Sequence, residues 1–207
     1  RRLLGALKYF SLSEPITLRS TVSFRETVDE LRKSTVGVGR FEAALSFSLP
    51  TIWDKVQSMP GVLRAKDGEV YYRGVCLQCT STSEDPLYGE LDQRPPAALN
   101  QSERASFWNQ IGENFAFIQR FFPKEVVLTR GRILVADPGY IGQPHIDIDR
   151  ELTVQIPIET NQWSHLVLGG NEFHLKADGS VYLLDTRRQH FVYNSGPTAR
   201  VHCVFGV

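Results

Sequence analysis

The fold of this chain is decided between residues 132 and 205, which read RILVADPGYIGQPHIDIDRELTVQIPIETNQWSHLVLGGNEFHLKADGSVYLLDTRRQHFVYNSGPTARVHCVF. Short runs rich in β-branched and aromatic residues alternate here with turns built from Gly, Pro, Asn and Asp. Such runs at a spacing of about 8–12 residues are typical of a β-sandwich or barrel. The pattern predicts strands at 132–136, 145–148, 153–158, 164–168, 172–175, 180–184, 190–193 and 200–205.

The residues before this region mix helices and strands. Their patterns predict strands at 16–24 and 69–80, helices at 27–33, 51–58 and 102–122, and a proline-containing loop at 83–98. The chain is therefore divided into a mixed α/β part, 1–124, and a β core, 125–207. We expect the two parts to form one compact domain, with helices covering one face of the core.

The charge balance disfavours several classes of function. The chain has 207 residues, with 23 Lys and Arg against 23 Asp and Glu, so its formal net charge is zero. Proteins that bind nucleic acid through its phosphates usually carry a basic excess, and no polybasic membrane anchor is visible. Three cysteines and an N-terminal apolar run too short for a signal peptide predict a cytoplasmic protein.

The residues with the clearest chemistry are His145, Asp147 and His190. On a strand, side chains two residues apart share a face, so His145 and Asp147 are expected to point to one place. A histidine from another strand would complete a set of two imidazoles and one carboxylate. That set, with open positions left for other ligands, is typical of non-haem Fe(II) oxygenases. Arg200, at the start of the last predicted strand, is suited to bind a carboxylate.

The order of these motifs resembles a known family over about residues 130–207. The resemblance rests on PGYIGQPHID at 138–147, QIPI at 155–158, GGNE at 169–172, LDT at 184–186, HFVYN at 190–194 and RVH at 200–202. These motifs are similar to those of the aspartyl/asparaginyl β-hydroxylase-like and cis-proline-hydroxylase-like Fe(II)/2-oxoglutarate dioxygenases. The resemblance does not extend to the first half of the chain.

The resemblance implies a mainly β fold with flanking helices, built on a double-stranded β-helix (jelly-roll, cupin-like) core. It implies that His145, Asp147 and His190 bind Fe(II) and that Arg200 binds the distal carboxylate of 2-oxoglutarate. His202 stands where relatives often have a small hydroxyl residue, and Gln155 where many have a histidine, so both are candidates for contact with the co-substrate. The implied reaction uses O2 and hydroxylates a C–H bond, with succinate and CO2 as co-products.

The substrate is expected to be a free amino acid or a residue in a peptide, and the protein a monomer or homodimer. Charged residues of both signs in the 83–98 loop suit such a substrate, which makes Tyr88, Asp92 and Arg94 candidates for binding it. Arg132, on the first core strand, is a candidate for contact with an anionic substrate. The alternatives are a nucleic-acid demethylase of the same superfamily, which the missing second arginine after Arg200 disfavours, and a non-catalytic cupin-like binding module.

The remaining polar residues have simpler interpretations. His165 and His174 are expected to be polar positions on strand faces, away from any metal. Cys76 and Cys79 are expected to be separate thiols, since residues three apart on a strand face opposite ways. Arg187 and Arg188, in the turn before His190, are expected to be solvated.

Overall fold

The secondary structure is mostly β. The computed structural model describes residues 11–18, 24–41, 73–76, 126, 128–148 and 152–207, and at 11, 24, 73–76 and 130 it describes the backbone alone. Within these residues the elements are β1 (Ser11–Leu12), β2 (Ile16–Thr17), α1 (Phe24–Lys33), β3 (Val38–Phe41), β4 (Arg73–Cys76), β5 (Thr129–Ala136), β6 (Thr153–Glu159), β7 (Ser164–Leu168), β8 (Asn171–Phe173), β9 (Val181–Leu184), β10 (His190–Asn194) and β11 (Arg200–Gly206).

These strands form two sheets. One has the order β1-β8-β7-β10, and the other has the order β2-β3-β9-β6-β11-β5-β4. Leu166 and Phe173 of the smaller sheet pack with Tyr182 and Leu184 of the larger one, so the two sheets face each other. The arrangement confirms the predicted double-stranded β-helix, and the four strands before residue 124 extend its two sheets.

The larger sheet is buried on both faces. In β11, Val201, Cys203 and Phe205 belong to an outer core that also contains Val28 and Leu31 of α1. Because side chains alternate along a strand, the intervening residues of β11 point into the space between the two sheets, which is called the interior below. Two-sided burial explains why β6 and β11 are buried along almost their whole length.

Helix α1 covers part of the outer face of the larger sheet. It starts three residues before the predicted helix at 27–33. Of the predicted strand at 16–24, residues 16 and 17 form β2, and residues 19–23 lie outside the described residues. After the helix, Gly37 adopts a positive φ of 72°, a conformation that a side chain would strain. Among the described residues, no helix is long and apolar enough to cross a membrane.

Most predicted core strands are confirmed, with ends that differ from the prediction by at most three residues. The strand predicted at 145–148 is wrong, because His145 forms an isolated bridge with His190 instead. Beyond it, the amide N–H of Asp147 donates to the carbonyl of Thr186 at 2.9 Å, so the segment leaves the edge of β10. The predicted helices at 51–58 and 102–122 and the loop at 83–98 lie outside the described residues.

Candidate metal centre

Three side chains meet at one end of the double-stranded β-helix. His145, Asp147 and His190 each offer a ligand atom, and these atoms lie within 4.8 Å of one another. The Asp147 carboxylate lies 3.9 Å from Nε2 of His145 and 3.7 Å from Nε2 of His190. The side chain of His190 is 9% exposed and that of His145 is 57% exposed, so the cluster lies at the border between the interior and solvent.

Backbone carbonyls orient both imidazoles. Nδ1 of His145 lies 2.8 Å from the carbonyl oxygen of Gln143, and Nδ1 of His190 lies 3.0 Å from that of Arg188. A carbonyl only accepts, so each Nδ1 carries a proton, and in the neutral imidazole the lone pair is then on Nε2. Metal-binding histidines are typically held in this way. The donor set of two Nε2 atoms and one carboxylate suits Fe(II).

Backbone pairing brings the three ligands together. His145 and His190 exchange two N–H···O bonds, of 3.0 and 2.8 Å, across the bridge. Their ring centroids are 4.3 Å apart. The prediction that His145 and Asp147 converge is therefore confirmed, although they do not lie on one strand. Asp147 is positioned instead by its bond to Thr186.

The turn before His190 is fixed by a buried carboxylate. Asp185, whose side chain is 5% exposed, accepts hydrogen bonds from Nε of Arg187 at 2.8 Å and from Nε of Arg188 at 3.3 Å. Arg188 also donates to the carbonyls of Ser34 at 2.7 Å and Thr35 at 2.9 Å, just after α1. The expectation that this turn is merely solvated is wrong. The carbonyl that orients His190 belongs to Arg188, and these hydrogen bonds hold Arg188 to the end of α1.

Asp185→Asn is expected to lower the free energy of unfolding by about 1–3 kcal/mol at neutral pH, since it weakens charge-assisted hydrogen bonds. Burial acts to raise the pKa of Asp185, but the hydrogen bonds and charges of Arg187 and Arg188 outweigh it and lower that pKa. The contribution of the carboxylate is therefore complete above its unfolded pKa of about 3.9 and is lost as pH falls through the lower folded value. Urea unfolding of both proteins at neutral and strongly acidic pH measures the difference, which should shrink in acid. A difference independent of pH would contradict the assignment.

A second polar group lies in the interior, on β6 and β11. Nη2 of Arg200 donates to Oε1 of Gln155 at 2.9 Å, and Nδ1 of His202 lies 3.1 Å from the same oxygen. Burial lowers the pKa of Arg200 to about 9, and the nearby Tyr140 acts in the opposite direction. Even this lowered value leaves Arg200 cationic at neutral pH. The structure thus brings together the three residues predicted to contact the co-substrate.

His202 is a neutral imidazole within this group. Burial, followed by the charges of Arg200 and His174, lowers its pKa well below the ordinary value. Because Arg200 can only donate, the Gln155 oxygen must accept, so Nδ1 of His202 carries its single proton. Nε2 is then a buried acceptor without a hydrogen-bond partner among the described residues. The group is therefore incompletely satisfied and suited to a further polar ligand.

His165 and His174 are not members of the cluster formed by His145, Asp147 and His190. His165 lies on the outer face of the smaller sheet with Tyr193, whose hydroxyl donates to the buried Glu172 at 2.5 Å. Burial, followed by the hydrogen bond and charge of Glu172, raises the pKa of Tyr193. Sequence patterns did not single out Glu172 or Tyr193, because their partners come from separate strands. Nδ1 of His174 lies 3.2 Å from the carbonyl of Ser164.

Several predicted site residues lie outside the described residues. These are the loop residues Tyr88, Asp92 and Arg94. The side chains of Cys76 and Cys79 also lie outside the description. Cys203 is a free, buried cysteine of the outer core, and burial raises the pKa of its thiol.

This chain is similar in structure to several proteins of known structure. No protein-family model matches the chain, and no curated protein matches its sequence. An oxidoreductase of the 2OG-Fe(II) oxygenase family from Burkholderia pseudomallei matches with a TM-score of 0.56 and 16% identity, over 94% of this chain and 95% of that one. The non-haem α-ketoglutarate-dependent carbocyclase SnoK from nogalamycin biosynthesis matches with a TM-score of 0.51 and 13% identity, over 94% and 87% of the two chains.

HygX from Streptomyces hygroscopicus, solved with nickel and 2-oxoglutarate bound, also has this fold. It matches with a TM-score of 0.51 and 10% identity, over 89% of this chain and 87% of that one. At such identities the matches show that the fold is shared. The chain therefore has the fold of these oxygenases, and its chemistry must be argued from its own residues.

Proposed function

We propose that the chain is an Fe(II)/2-oxoglutarate-dependent dioxygenase that hydroxylates a C–H bond of a free amino acid or of a residue in a peptide. The observation that carries the proposal is the cluster of His145, Asp147 and His190, with both imidazoles oriented by carbonyls, at the end of an interior that contains Arg200. The structural neighbours named above support it, because one belongs to the 2OG-Fe(II) oxygenase family, one is an α-ketoglutarate-dependent carbocyclase, and HygX was solved with 2-oxoglutarate bound.

The three clustered residues would hold Fe(II). Both Nε2 atoms have lone pairs directed away from their carbonyl partners, and the Asp147 carboxylate offsets part of the charge of the metal. When bound, Fe(II) supplies the oxidative decarboxylation of 2-oxoglutarate by O2 and the hydroxylation of the substrate. The turn at Asp185 and Arg188 supplies the carbonyl that takes the proton on Nδ1 of His190, so that Nε2 would be the ligand atom for the metal.

Arg200 would bind the distal carboxylate of 2-oxoglutarate. Its guanidinium is buried and has no carboxylate partner among the described residues. Its Nη2 atom donates a hydrogen bond to the amide oxygen of Gln155. A buried cation is costly unless an anion pairs with it, so the site favours an acidic ligand. Gln155 and His202, which meet at the same oxygen, would line the pocket beside that carboxylate.

The loop residues Tyr88, Asp92 and Arg94 are proposed to contribute to substrate binding. Substrate contacts in an enzyme are often made by loops that a rigid scaffold positions. The subtype, aspartyl/asparaginyl β-hydroxylase-like, remains a prediction from the motifs between 138 and 202.

Succinate formation by the purified chain tests the proposed function. The reaction is run with Fe(II), 2-oxoglutarate and O2, and again with each omitted, while free amino acids and short peptides are screened for stimulation. We expect succinate to appear only in the complete mixture and to rise with at least one substrate. Failure to bind Ni(II) or Fe(II), or succinate formation that is independent of metal, would refute the proposal.

A further inference from the structure

Arg132 lies on the interior face of the larger sheet. Its neighbours on β5, Ile133 and Val135, belong to the outer core, so Arg132 points the other way. It is paired with Val204 of β11, which is in turn paired with Gln155 of β6. Residues directly opposite each other on neighbouring strands share a face. Arg132 therefore lies in the same cross-strand row as Gln155, next to the group that contains Arg200.

Two nitrogens of the Arg132 guanidinium have no hydrogen-bond partner among the described residues. They are Nε and Nη1, and both are buried. Two other described arginines are paired: Arg40 binds Asp178, and Arg188 binds Asp185 and two carbonyls. A buried donor left unpaired is costly, and a charged one more so. Such a group indicates a place where a ligand completes the hydrogen bonds.

The described carboxylates nearby are already committed elsewhere. Glu172 accepts hydrogen bonds on the outer face of the smaller sheet, and Asp185 is bound by Arg187 and Arg188. Asp147 belongs to the metal cluster. Two interior arginines, Arg132 and Arg200, thus face an interior whose described acids are all engaged. Two separate anionic groups are needed to neutralise them.

We propose that Arg132 binds a carboxylate of the primary substrate, so that the substrate is a free amino acid or a residue with an acidic side chain. The inference rests on the proposed function, in which Arg200 takes the distal carboxylate of 2-oxoglutarate and the other end of that molecule lies at the metal. Those two contacts use both carboxylates of the co-substrate. A second acid, from the substrate, is then the partner of Arg132.

Thermal unfolding of the protein loaded with Ni(II) and 2-oxoglutarate tests this assignment. The probes are the common L-amino acids and their C-terminal amides, which lack the α-carboxylate. We expect at least one amino acid to raise the melting temperature of the wild-type protein. Loss of the shift with the matching amide identifies the α-carboxylate as the bound group, whereas a shift retained with the amides of Asp or Glu identifies the side-chain carboxylate.

Arg132→Gln is expected to weaken binding of that amino acid at least tenfold, while the Kd for 2-oxoglutarate stays within about twofold of the wild-type value. The melting temperature of the variant without ligands should equal or exceed that of the wild type, because the substitution removes an unpaired buried charge. A purely structural arginine would instead leave a less stable protein. Arg132→Lys should retain part of the affinity, since it keeps the charge but loses the planar fork.

An unchanged affinity of Arg132→Gln for that amino acid would contradict the assignment of Arg132, and two further results would overturn it while leaving the proposed function intact. One is a rise of tenfold or more in the Kd for 2-oxoglutarate in Arg132→Gln, which would make Arg132 a co-substrate residue. The other is the absence of any shift with the amino acids in a wild-type protein that binds Ni(II) and 2-oxoglutarate. If the wild-type protein binds neither Ni(II) nor 2-oxoglutarate, the proposed function and the role of Arg132 are both wrong.

Discussion

His190→Ala is expected to abolish succinate formation and to weaken Ni(II) binding by more than about 100-fold. Loss of a group that merely orients a metal ligand typically costs about 10–100-fold in affinity, so loss of the ligand itself should cost more. His190 is also the less exposed of the two imidazoles, and without it only the more exposed His145 and Asp147 remain. Calorimetric titration with Ni(II) measures the affinity, and NMR detection of succinate measures turnover.

His174→Ala is the matched control. His174 is half-buried in the same half of the chain, but its imidazole contacts the carbonyl of Ser164 and no member of the metal cluster. The control should therefore bind Ni(II) with nearly the wild-type affinity. Retention of metal binding in His190→Ala, or an equal loss in both variants, would contradict the assignment of His190 as a ligand.

Arg200→Ala is expected to raise the Kd for 2-oxoglutarate by about 10²–10³-fold. Removing one partner of a buried, hydrogen-bonded charge pair costs about 2–5 kcal/mol, and each 1.4 kcal/mol corresponds to a tenfold change. Arg200 is 4% exposed, so water cannot replace the missing guanidinium easily. Titration of the Ni(II)-loaded protein with 2-oxoglutarate measures the change directly, without turnover.

Two controls separate a local effect from unfolding. Arg25→Gln changes an exposed arginine of α1 and should leave both the Kd and the stability unchanged. Ni(II) binding by Arg200→Ala should also be close to that of the wild type, since Arg200 is not a member of the metal cluster. An unchanged Kd for 2-oxoglutarate in a folded Arg200→Ala protein would exclude Arg200 from the co-substrate site.

The fold could be predicted from the sequence because its signals are local. Each core strand is a short apolar or β-branched run with turn residues on both sides, as in 164–168 followed by Gly169 and Gly170. Gly169 and Gly170 both adopt positive φ values, so the turn itself is encoded by residue type. The strand predicted at 145–148 was wrong because its partners lie on β10 and in the turn at Thr186. Pairing between segments that are distant in the sequence does not appear as a hydrophobic periodicity in either segment.

The sequence alone pointed to the candidate ligands: two histidines, one aspartate and one arginine, within a predicted double-stranded β-helix. It also gave Gln155 and His202 as candidates, through their positions in the family resemblance, and Arg132, through its place on the first core strand. These conclusions depend on residue identity and on neighbours within a few positions, which a linear sequence contains.

The arrangement of those residues came from the three-dimensional structure. It showed that carbonyls orient the imidazoles of His145 and His190, that Asp185 and Arg188 link the turn before His190 to the end of α1, and that Arg200 and His202 share one amide oxygen. It also showed that Nε and Nη1 of Arg132 have no hydrogen-bond partner in the part of the chain that is described. Whether a polar atom is satisfied depends on atoms brought near it by folding, often from distant parts of the chain, and the residue type alone does not contain that information.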